Sequence, residues 1–228
     1  MIEAEAATGR QPQATAGDKA PDVGSLMARA IERAWHARLL APPNPWVGAV
    51  VVAGDGVSYE ASTGRPGRNH AEREAIERAG SRAVGATLYV TLEPCSFHGR
   101  TPPCVDAIID AGISRVVVAV EDPDSRVAGS GIAALRQAGI EVTVGRGAAE
   151  VEHQLAPSLT HRRTGRPFVV LKLAATLDGR TAAADGSSQW NTGPEARAEA
   201  HRLRAESDAI LVGAGTVRAD NPRLTVRG

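Results

Sequence analysis

The sequence predicts an α/β protein: a largely parallel sheet with helices on its faces, followed by the start of a second α/β unit. Short β-branched apolar runs alternate with helical stretches of about ten residues, the pattern of strands joined by crossover helices. Gly80, Gly112 and Gly139 stand just past three of those stretches, where a helix ends readily. The alternation then breaks in a polar stretch and restarts, which divides the chain in two.

Element by element, residues 1–22 are rich in Ala, Gln, Gly and Pro and lack the apolar segment of a signal peptide, so a disordered tail is expected. An amphipathic helix over 26–39 leads to a strand at 47–52 and a helix at 71–79. A strand at 87–92 leads through Pro102-Pro103 to a helix at 105–111, and 116–120 is the next strand. A helix at 132–138 and a strand at 140–144 complete a first domain, 23–147. Residues 148–166 are polar, with a helical patch and then Arg162-Arg163-Thr164-Gly165-Arg166, and are expected as a linker. The second unit, 167–228, supplies a strand at 168–173, a helix at 194–205 and a strand at 209–212.

Composition narrows the function. Lys+Arg and Asp+Glu both total 26 in the 228 residues, so no global basic field points to nucleic acid. Aromatic residues are 3% of the chain, which argues against a stacking platform for single strands. No run of 18 apolar residues predicts a membrane span. A cytoplasmic protein is expected, in which two cysteines point to metal or catalysis more than to a disulfide.

The chemistry is concentrated in His70-Ala71-Glu72 and in Pro94-Cys95 followed, after eight residues, by Cys104. One imidazole and two thiolates give three ligands, so a tetrahedral Zn²⁺ keeps a fourth position for water. Such a site lowers the pKa of that water from about 15.7 to roughly 7. Glu72, two residues past the histidine, is placed for a general acid/base that moves the water's proton to a leaving amine. His-x-Glu followed by Pro-Cys-x-x-Cys is the signature of zinc deaminases; here the insert between the cysteines, Ser96 to Pro103, is longer. His70 and Cys104 fall at the starts of their helices, whose partial positive charge favours thiolate at Cys104 and at Cys95 if its backbone turns the same way. Two buried structural thiols, or a closed structural zinc module with His98 as fourth ligand, are the other readings.

Asn44-Pro45-Trp46-Val47-Gly48, His70-Ala71-Glu72, Thr91-Leu92-Glu93-Pro94-Cys95-Ser96 and His98-Gly99-Arg100-Thr101-Pro102-Pro103-Cys104 together resemble the deaminase domain of the bifunctional riboflavin-biosynthesis deaminase–reductases. The pattern continues in Asp122-Pro123 and Val127-Ala128-Gly129-Ser130-Gly131. It extends to Leu171-Lys172, Leu177-Asp178-Gly179-Arg180, Ser188-Gln189-Trp190, Gly215-Thr216-Val217, Asp220-Asn221-Pro222 and Leu224-Thr225, which resemble the start of the reductase domain. The resemblance implies a cytidine-deaminase-like α/β/α three-layer domain, followed by the start of a dihydrofolate-reductase-like α/β domain. It implies hydrolytic removal of the exocyclic amine of a phosphoribosylated diaminopyrimidinone, a small-molecule substrate. Deamination of another pyrimidine or of a nucleic-acid base is the competing enzymatic reading.

By the same resemblance His70, Cys95 and Cys104 hold zinc, Glu72 shuttles the proton, Asn44 orients the pyrimidine and Arg100 holds the anionic end, for which a guanidinium is suited. In the second unit, Ala174, Trp190, Thr216 and Asp220 are expected to face NADPH, and Ser188, Arg204, Leu224 and Arg227 the substrate. Trp46, Thr63 and Phe97 depart from the pattern: the family often has a small or polar residue at the first and a histidine at the other two, positions expected to line the substrate end of the pocket. About 60 residues follow the linker, too few to close a reductase sheet. The chain is therefore expected to deaminate without reducing, and its uncovered strands to favour a homo-oligomer.

Overall fold

The computed structural model describes residues 23–227, so the expected tail lies outside the described residues. A five-stranded mixed sheet has the order β2-β1-β3-β4-β5, with β1 Gly48–Val52, β2 Ser58–Ser62, β3 Thr87–Leu92, β4 Arg115–Val120 and β5 Glu141–Val144. β1 runs antiparallel to both neighbours, and β3, β4 and β5 are parallel. β3 and β4 are buried along nearly their whole length, which is why they read as continuous apolar runs rather than alternating ones.

Helices cover both faces. α1 (Val23–Ala37) turns Leu26, Met27, Ala30, Ala34 and Ala37 inward, a stripe at helical spacing. It lies so close to β1 that a Cβ on Gly48 would sit 1.8 Å from the Ala30 carbonyl oxygen, which requires glycine there. The opposite face carries α2 (Ala71–Ala79), α3 (Cys104–Asp110) and α4 (Ser130–Gln137), each packed on the next.

Sequence and structure differ at three places. β2 has no apolar run; it is an edge strand whose Glu60 is ion-paired with Arg29 and Arg33 of α1. Residues 148–166 are not a linker: they form α5 (Ala148–Gln154) and α6 (Ala156–Thr164). Val151, Leu155 and Leu159 enter the core at helical spacing, and Gln154 donates to the Ile31 carbonyl at 2.9 Å. Their solvent face is charged, and that polarity conceals the stripe. The expected strands at 168–173 and 209–212 are not strands among the described residues, because no neighbouring backbone pairs with them. Val169, Leu171, Leu173 and Leu211 are largely exposed. The expected helix is present as α7 (Pro194–Ala205), followed by α8 (Ala214–Asp220). Glu206, just past α7, is ion-paired with Arg38 beyond α1. Among the described residues no helix is long and apolar enough to cross a membrane.

Candidate active site

The site is built at the C-terminal ends of β3 and β4, where a parallel sheet opens a crevice between the loops that follow its strands. Beyond β3 the chain runs Glu93-Pro94-Cys95, and Glu93 is 3% exposed. Its carboxylate accepts four backbone N–H groups: from Gly131 at 2.9 Å and Ile132 at 3.1 Å on one oxygen, and from Gly129 at 3.0 Å and Asp122 at 3.1 Å on the other. Those bonds satisfy a buried charge and fix the loop after β4 against the cysteine-bearing turn. Gly131 is required for the approach, since a Cβ there would lie 2.1 Å from the Pro94 carbonyl oxygen.

His70 is the N-cap residue of α2, and Cys104 is the first residue of α3. The imidazole Nδ1 lies 3.6 Å from Cys95 Sγ and 3.3 Å from Cys104 Sγ, and the three donor atoms all fall within 4.8 Å of one another. Tetrahedral zinc with ordinary Zn–N and Zn–S bonds needs N···S separations of about 3.6 Å, so the donor set fits zinc in both chemistry and spacing. Thr101 Oγ1 stands 3.5 Å from the other ring nitrogen, Nε2, in place to receive its proton and leave Nδ1 free as a ligand. The Cys104 backbone N–H donates to Cys95 Sγ at 3.3 Å, delivering the start of α3 to that sulfur.

Without a metal the two sulfurs are unequal. Hydrogen bonding from Cys104 and from His70 holds the Cys95 thiol well below its usual range. Cys104, beside Cys95 and buried, is pushed well up. Two thiolates in one small buried volume repel, so without a cation between them one retains its proton, and ligation by a metal releases it. His70 is pushed up, first by its bond to Cys95. Glu72 is buried on the first turn of α2, and burial pushes its carboxyl up to about 7, partly opposed by the charge on His70. An acid with that pKa can both take and give a proton near neutrality. His98, the fourth ligand of a closed site, is exposed, outside the donor cluster, with its Nδ1 3.3 Å from the Gly99 carbonyl oxygen.

A cavity of about 410 Å³ opens onto His70, Glu72 and Cys95, and Asn44, Thr63, Phe97 and Arg100 line it. Thr63 is buried and its hydroxyl takes the Val47 N–H at 3.0 Å, so it holds the start of β1 as well as lining the wall. Trp46 does not line the cavity; it packs on the core. Three charged lining residues escaped the sequence reading, Asp124, Arg126 and Arg162, and they stand beside Asp122 of the Asp-Pro pair. Arg162 comes from α6, inside the supposed linker, and binds both oxygens of Asp122. Asp124 accepts Nε and Nη2 of Arg126 at 3.0 and 2.6 Å, and that bonding holds its carboxyl down to about 2.

None of the eight residues expected to serve the reductase lines this cavity. Ser188, Trp190, Thr216, Asp220 and Arg227 are exposed, while Ala174, Arg204 and Leu224 are half-buried. Arg197 lies over the Trp190 ring at 4.6 Å, and Arg204 and the Arg227 N–H meet at His201. The described residues do not enclose a nicotinamide.

Residues 22–120 match the cytidine and deoxycytidylate deaminase zinc-binding region, and residues 167–228 match the RibD C-terminal domain. The riboflavin biosynthesis protein RibD of Escherichia coli (strain K12) is 52% identical over 201 residues, 88% of this chain and 55% of that protein. The RibD protein of Aquifex aeolicus (strain VF5) is also 52% identical, over 81% of this chain and 52% of the relative. Along most of its length the chain is similar to RibD proteins. It spans about half the length of the curated relatives it matches. Form 1 of Acinetobacter baumannii RibD superimposes with a TM-score of 0.84 at 44% identity, over 90% of this chain and 58% of that one. A diaminohydroxyphosphoribosylaminopyrimidine deaminase/5-amino-6-(5-phosphoribosylamino)uracil reductase from Thermotoga maritima gives 0.82 at 44% identity, over 90% and 59%. The RibD fold thus comprises the cytidine-deaminase-like domain and, from 167, sequence of a dihydrofolate-reductase-like domain.

Proposed function

We propose that this chain is a zinc-dependent hydrolase that converts 2,5-diamino-6-(5-phosphoribosylamino)pyrimidin-4-one and water to 5-amino-6-(5-phosphoribosylamino)uracil and ammonia, a step in riboflavin biosynthesis. The observation that carries the proposal is a His–Cys–Cys donor set beside a buried carboxyl, both opening onto one cavity. His70, Cys95 and Cys104 hold the metal, which when bound supplies a Lewis acid that makes water acidic at neutral pH. Thr101 orients the imidazole. Glu72 removes a proton from the attacking water and returns it to the exocyclic nitrogen, which leaves as ammonia while the ring carbon keeps the oxygen. Asn44 orients the pyrimidine and Arg100 binds the anionic end.

The deaminase unit extends over 23–166, because α5 and α6 complete its core. Residues 167–228 contribute to NADPH-dependent reduction in a full-length relative, with Ala174, Trp190, Thr216 and Asp220 toward the cofactor and Ser188, Arg204, Leu224 and Arg227 toward the sugar. No reductive step is assigned to this chain, since those residues do not form a site. The exposed apolar row at 168–173 favours self-association, and thiol ligands suit a reducing cytoplasm.

Incubation of the zinc-loaded chain with the phosphoribosyl diaminopyrimidinone and NADPH tests the proposal. Ammonia release without loss of NADPH absorbance is expected. No ammonia from this substrate would contradict the assignment, and stoichiometric NADPH oxidation would contradict the division of labour.

A further inference from the structure

The cavity carries ionisable groups at both ends. Its inner end holds His70 and Glu72, and its mouth carries Phe97, Arg126 and the Asp124 carboxylate. The Arg126 guanidinium is pinned there in three ways. It lies 4.4 Å from the Phe97 ring centroid, it grips both oxygens of Asp124, and its own backbone N–H donates to Asp124 Oδ1 at 3.1 Å. The fork uses Nε and Nη2 and leaves Nη1 without a partner among the described residues. Arg162 is different: Asp122 takes its Nη1, Asp124 is 3.7 Å away, and its side chain is only 23% exposed against 62% for Arg126. With Arg100, this wall has three guanidinium groups against two aspartates. Of the three, Arg126 is the member both fixed by its partners and open to solvent.

We propose that Arg126, held by Phe97 and Asp124, is a specificity-determining residue that binds the phosphate of the substrate. The proposal rests on the deaminase reading given above. A guanidinium already immobilised loses little freedom on meeting an anion, and its remaining N–H groups match phosphate oxygens. Phe97 covers one face of the cation and helps to hold it in place, leaving its outer edge open at the mouth. The reacting ring would lie inward, near Glu72, and the phosphate at the mouth.

The test compares wild type, R126Q, R126K and F97A on the phosphorylated substrate and on the same substrate after phosphatase treatment, alongside calorimetric titration with ribose 5-phosphate. For R126Q, KM for the phosphorylated substrate is expected to rise about tenfold, more than kcat falls, with the dephosphorylated compound little affected. R126K should recover part of the loss, and F97A should show a smaller change in the same direction. Ribose 5-phosphate should bind R126Q more weakly than wild type. Equal changes on both substrates would assign Arg126 a structural role and overturn the proposal, as would unchanged ribose 5-phosphate affinity. Failure of wild type to release ammonia from either compound would overturn the deaminase reading, and the titration would still decide whether Arg126 binds phosphate.

Discussion

At the scale of single residues, the site depends on groups whose burial makes their charge expensive without a partner. Cys104 is 1% exposed and shares its proton problem with Cys95, so a cation relieves both at once. C104A should lose stoichiometric zinc, and its melting temperature should become insensitive to chelator, because metal binding and folding are linked. Retained zinc at one equivalent would contradict its place as a ligand. Asp124 makes a second prediction. Its carboxyl is held down to about 2 by Arg126, against an ordinary value of 3.8, so its contribution to stability is present above about pH 4 and lost as pH falls toward 2. In denaturant unfolding followed against pH, the gap between wild type and D124N should therefore close over that window. A gap that stays constant would show that the aspartate's charge is not what the fold uses. His70, Glu72, Cys95 and Cys104 were legible from sequence, since each lies in a short local pattern. Their proton sharing was not, because it depends on a distance of a few ångströms between segments 25 and 34 residues apart.

At the scale of elements, the loop after β4 and the turn after β3 form one unit through Glu93. Gly131 is its tightest point. G131A should destabilise the chain by on the order of 3 kcal/mol, because a methyl group 2.1 Å from the backbone of Pro94 forces apart the turn that carries Cys95. Urea unfolding of the zinc-loaded protein measures this, and an unchanged midpoint would refute it. The strands and helices of 47–144 were readable because glycine stops and β-branched runs mark them. β2 was not, since an edge strand need not be apolar when arginines from α1 neutralise its glutamate. α5 and α6 were hidden by charge on their outer faces, and with them Arg162, which comes back from 40 positions beyond Asp122 to line the cavity.

At the scale of the whole molecule, the two halves differ in how they satisfy their backbones. The first buries an apolar core between two helical layers; the second leaves Val169, Leu171, Leu173 and Leu211 at 72% exposure or more. A strand propensity is not a strand until a neighbour pairs with it, and for this reason the runs at 168–173 and 209–212 read correctly as apolar and wrongly as sheet. Sedimentation of the 228-residue chain should show concentration-dependent association that L171E weakens. A strictly monomeric wild type would contradict this. The central claim, that a three-ligand zinc site works with Glu72 as its proton carrier, is tested most directly by measuring ammonia release per bound zinc in wild type and E72Q. E72Q should keep one zinc and fall about 10²–10⁴-fold in rate. A variant that loses its zinc, or that turns over near the wild-type rate with zinc in place, would contradict the account.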